Sequence, residues 1–143
     1  MGENGEGEKP KRGNKTEKVV DMRGNPLSED HIDAAIAAQK EFYERGFRDM
    51  AELLDMLVDS SYVTHDDDFF SLKLGLLGET IQVMLGRIVN EKDRWVRQPP
   101  LYQALAHRVM DELSHLKPHE LPLPIPPELR NAMARYRRAY LNP

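Results

Sequence analysis

Glu41-Phe-Tyr-Glu44 and Glu52-Leu-Leu-Asp55 set two carboxylate pairs at three-residue spacing, an arrangement that holds a divalent cation when two such pairs face each other across a pocket. All four acids fall on one side of a single helical stretch, however, with Arg45 and Arg48 interleaved. Glu41–Arg45, Glu44–Arg48 and Arg48–Glu52 are then i,i+4 neighbours, each worth roughly 0.2–0.5 kcal/mol, and the pattern predicts a solvated, salt-bridged face. His107, Asp111 and His115 align at i, i+4 and i+8, and Glu112 with His115 makes one ExxH. A helical dimetal centre needs two such motifs and carboxylates from two further helices. The three residues lie off the Leu105, Val109 and Leu113 stripe, which predicts that they face water. His65-Asp66-Asp67-Asp68 reads as a helix start, where carboxylates suit the positive end of the dipole. No GxSxG, glycine-rich phosphate loop or HExxH is present, so the serine hydrolase, P-loop and zincin signatures all fail. Catalytic residues, metal ligands and cofactors are therefore not expected.

Three features suit binding better. Trp95, the single tryptophan, stands between Arg94 and Arg97 in a connection, which is the composition of an interface anchor, although a loop tryptophan that merely covers the end of a bundle is commoner. Arg130, Arg135, Arg137 and Arg138 share a helix whose opposite side carries Leu129, Met133, Tyr136 and Tyr140. That arginine face could meet an acidic protein, a nucleic-acid backbone or the acidic middle of another copy. Leu121-Pro-Leu-Pro-Ile-Pro-Pro contains a PxxP, yet Leu121, Leu123 and Ile125 alternate every second residue, which favours an extended strap laid on the domain over a threefold polyproline ligand.

The elements that must position these residues are helical. Apolar residues from Ile32 through Ala35, Ile36, Phe42, Tyr43, Phe47, Met50, Leu53 and Leu54 to Leu57 keep one phase at 100° per residue, so the pattern predicts one amphipathic helix over 28–58, capped by Ser28. The phase survives Gly46, where a glycine costing about 1 kcal/mol relative to alanine points to a close backbone approach. A second helix is predicted over 66–89, capped by Thr64 or Asp66, apolar around most of its circumference and so placed at the centre of the assembly. Its remaining side, Ser71, Gly75, Gly78, Gln82 and Gly86, together with Gly46, predicts tight helix packing or an oligomer contact, the alternative being a break at Gly75 and Gly78. Pro99-Pro100 opens a third helix that ends before Pro118, and Pro127 opens a short basic fourth. The fold class is all-α, a four-helix assembly with a proline-rich strap.

Composition bounds the function. The 143 residues carry a net charge of −4 that resolves into +1 over residues 1–27, −8 over 28–95 and +3 over 96–143. Residues 1–18 hold almost no large apolar side chain and read as a disordered tail, leaving 19–143 as one helical domain, with an extended piece at 19–22. The absence of cysteine excludes disulfides and thiol chemistry and points to a reducing compartment, the cytoplasm. No run approaches the roughly 18 apolar residues of a membrane span. The expectation is a small non-enzymatic regulatory or adaptor protein that docks onto a larger protein machine. The alternatives are a nucleic-acid-associated protein using the arginine helix and the basic tail, and a metal-dependent enzyme. The apolar second helix adds the expectation of a homodimer.

Overall fold

A computed structural model of the chain describes residues 29–62 and 67–140, with the side chains of 67–70 outside that description. The expected tail, the extended piece at 19–22, the Ser28 and Thr64 or Asp66 caps and His65 lie outside the described residues, as do the side chains of Asp67 and Asp68. Five α-helices follow one another: α1 (Glu29–Asp59), α2 (Asp67–Gly75), α3 (Ile81–Asn90), α4 (Pro99–His115) and α5 (Pro127–Tyr140), with 3-10 turns at Lys92–Arg94 and Pro118–Glu120. No strand occurs among the described residues, and none of the described helices is long and apolar enough to cross a membrane. The chain divides into two compact units, residues 1–38 and 39–143. Of the first, the described part is the start of α1, Glu29–Ala38, whose side chains are exposed apart from a half-buried Ile32.

In the second unit, periodicity and burial agree along the rest of α1. Tyr43, Phe47, Met50, Leu53, Leu54 and Leu57 are buried, and Gly46 lies among them. A Cβ on Gly46 would lie 3.3 Å from Leu85 Cβ and Cδ1, while one on Gly86 would come 3.9 Å from Phe42 Cζ. The two glycines therefore sit where α1 and α3 press together, each under a large side chain of the other helix.

The predicted single helix over 66–89 is two helices. Gly78 has φ +91°, a left-handed conformation that glycine adopts without steric cost, and it lies in a turn between Gly75 and Thr80. Thr80 then caps α3, its hydroxyl accepting a hydrogen bond from the Val83 N–H at 3.2 Å. The apolar phase runs through the break because the turn contributes a buried leucine of its own, Leu76. Tight packing is absent at Gly75 and Gly78, where an added Cβ would meet nothing within 4 Å, and Ser71 and Gln82 are exposed. Leu72, Leu74, Leu77 and Val83 are exposed as well, so this segment is not the enclosed centre.

That position belongs to α4. Tyr102, Gln103, Ala104, Leu105, Ala106, His107, Val109, Met110 and Leu113 are all buried, covering most of its circumference. Residues 118–126 follow as a short 3-10 turn and a bent extended strap, with Leu121, Leu123 and Ile125 packed against the core. α5 then buries Leu129, Ala132, Met133, Tyr136 and Tyr140, as its stripe predicts.

Candidate functional site

Because α5 turns its apolar stripe inward, its four arginines lie on the remaining sides, and they do not behave alike. Arg135 reaches α1: Nη1 donates to Asp55 Oδ1 at 2.7 Å and Nη2 to Asp59 Oδ1 at 2.9 Å. The expectation that Arg135 is open to a partner is corrected, since its guanidinium fork already spans two carboxylates one helical turn apart. Arg130 donates from Nε to the Ile125 carbonyl at 3.2 Å and so holds the strap to the start of α5. Arg137 is half-buried and Arg138 exposed, and neither has an acidic partner among the described residues.

Trp95 is only 5% exposed and belongs to the core, so its assignment as a partner-binding residue is corrected. The 3-10 turn at Lys92–Arg94 folds the indole inward, and Lys92 Nζ stands 5.7 Å from the ring centroid. Its indole N–H is buried without a hydrogen-bond partner among the described residues. The flanking arginines do stay outside: Arg94 is exposed, and Arg97 bends back to the Asp93 carbonyl at 2.8 Å. Val96, between Trp95 and Arg97, is 70% exposed.

The expected salt ladder along α1 does not form. Glu41, Glu44, Arg45 and Arg48 are exposed without ion pairs among the described residues, and α1 instead uses acids nearer its end to bind cations from elsewhere. Lys92 Nζ lies 2.7 Å from Glu52 Oε1 and 3.1 Å from Asp49 Oδ1. Asp49 is the buried member, and sequence reasoning passed over it because it lies at the edge of the apolar arc. Lys92 is held above the usual lysine range, first by the hydrogen bond to Glu52 and then by that to Asp49.

His107 is likewise a correction. It is buried, edge-on to Tyr140 at 4.4 Å and Tyr136 at 5.3 Å between ring centroids, while Asp111 and His115 are exposed. The three residues thus point into different surroundings. Among the described residues, no three His, Asp or Glu side chains converge on a point where a metal ion could sit. Of the α5 arginines, Arg137 and Arg138 are the two whose guanidinium groups are engaged neither by an acid nor by a carbonyl among the described residues.

The buried phenols give the domain an alkaline limit. Tyr102, fully buried, donates its hydroxyl proton to Glu91, and burial followed by that hydrogen bond pushes its pKa up to about 12. Tyr136 is raised further, again by burial, against a smaller opposing effect from Gln103. A folded-state pKa above the unfolded value of about 10 leaves stability intact below pH 10 and removes it as pH rises, by about 2–3 kcal/mol through pH 12 for Tyr102 alone. Lys92 acts in the same direction. The melting temperature should stay level from pH 7 to 9.5 and fall steeply above pH 10, with Y102F flattening the first part of the fall. A level profile to pH 12 would mean that both phenols ionise freely. Comparison with protein families, curated proteins and solved structures finds no significant match to this chain.

Proposed function

We propose that this is a small non-enzymatic regulatory or adaptor protein that docks onto a larger protein assembly through the arginine side of α5. The observation that carries the reading is the contrast within that helix. Arg135 is neutralised by Asp55 and Asp59, whereas Arg137 and Arg138 carry charge that no described acid offsets. Uncompensated guanidinium groups on a rigid helix favour an acidic partner and steer its approach. The cysteine-free composition suits the reducing cytoplasm.

The test is a pull-down from nuclease-treated lysate of the source cells with the full chain as bait. The wild type should retain specific proteins, and R130A/R137A/R138A should lose them while staying folded, its melting temperature lowered only by the loss of the exposed Arg130–Ile125 hydrogen bond, since Arg135 is left in place. Unchanged retention by the triple variant would refute docking through these arginines. The same uncompensated pair favours a second reading, nucleic-acid association. That reading predicts retention on DNA or RNA with steep salt dependence, abolished by the triple variant and by nuclease.

A further inference from the structure

We propose that Leu74, Leu77 and the pocket beside them form a two-fold interface with a second copy of this chain, separate from the arginine side of α5. Lys73, Leu74, Leu77, Arg108 and Asp111 line a pocket of about 180 Å³ where α2 and the turn after it meet α4. Small-molecule sites run to roughly 300–1,000 Å³, so this space suits a single side chain better than a cofactor. The leucines that border it face outward: Leu74 is 51% exposed and Leu77 61%. Hydrogen bonds from Leu76 N–H to the Lys73 carbonyl and from Leu77 N–H to the Leu74 carbonyl shape the turn that buries Leu76 and leaves Leu77 outside. An apolar knob and an apolar hole therefore share one surface, and a two-fold axis would seat each copy's leucine in the other's pocket. Such a contact uses the same patch twice and closes on itself.

The charges on the rim identify the occupant. Lys73 and Asp111 stand on α2 and α4, with Nζ and Oδ2 3.8 Å apart, a loose pair with much of both side chains exposed. Arg108 is bound to Glu112 at 2.6 Å. A rotated copy presents opposite charge at both open positions, Lys73 toward Asp111 of the partner subunit and the reverse. An acidic peptide would meet Asp111, and a basic one Lys73, as a like charge. The homodimer expected from the apolar second segment is thus assigned to its exposed leucines, and the glycine side also named for an oligomer contact is left out of it.

Sedimentation velocity on the full chain, from about 1 to 200 µM, tests the proposal over the micromolar range that a small, closed patch supports. The wild type should show a monomer–dimer equilibrium, and L74D and L77D should each weaken it at least tenfold. K73E and D111K should each weaken it alone, and an equimolar mixture of the two should dimerise more tightly than either, because opposite charges then meet at both contacts. Restoration by mixing cannot arise from the pair inside one chain. A monomer at 200 µM, a dimer indifferent to L77D, or a mixture no tighter than its components would each overturn the interface. The charge variants keep the test decisive if a leucine variant misfolds.

Discussion

Replacing Gly46 by leucine is expected to destabilise the domain by about 3 kcal/mol or more, the upper end of what overpacking a closed core costs. The Cβ alone would lie 3.3–3.4 Å from three atoms of Leu85, which is itself fully buried and cannot swing aside. The larger side chain would have to part α1 from α3. Alanine at the same position sets two small effects against each other, a helix-propensity gain of about 1 kcal/mol and a strained contact of similar size, so G46A should lie close to the wild type. G86A meets Phe42 at an ordinary 3.9 Å and should gain most of that 1 kcal/mol. G78A should instead lose about 1–2 kcal/mol, because a left-handed backbone penalises a Cβ whatever space surrounds it. Urea unfolding, followed by Trp95 fluorescence, would rank the four variants. A G46L domain as stable as the wild type would show that the helices do not meet at this glycine.

Trp95→Ala is expected to cost about 3–5 kcal/mol, the range for deleting a buried aromatic ring, against a total that for domains of this kind is about 5–15 kcal/mol. W95F should cost less, since it keeps much of the ring volume and removes the buried indole N–H that lacks a partner. R94A and R97A should change stability by no more than about 0.5 kcal/mol, both side chains being exposed. A W95A protein of normal stability that lost a binding partner would return the tryptophan to the surface role that its arginine neighbours suggest.

The helices at both ends of the described chain were legible because local signals coincide there. The unbroken apolar phase predicts α1, and Pro99 and Pro127 mark the starts of α4 and α5, where the structure places them. The break before α3 was hidden by Leu76, which keeps the apolar phase through a turn, although Gly78 and Thr80 together spell a helix end followed by a cap. The enclosure of α4 was hidden for a different reason. Gln103 and His107 are polar by type but buried by position, and a stripe drawn from leucines and valine alone leaves them outside. For the candidate site, the arginines of α5 could be named from the sequence, but their division could not. Arg135 is tied down by acids 76 and 80 residues away in the chain, a pairing that no local pattern encodes.

That separation also has a consequence in time. α1 precedes every other described helix out of the ribosome, while the cation that answers Asp55 follows 80 residues later. At synthesis rates of about 5–20 residues per second, the interval is roughly 4–16 s. For that interval the leucine-rich side and the acidic end of α1 are without α5, and the contacts between the two helices cannot form before α5 is made.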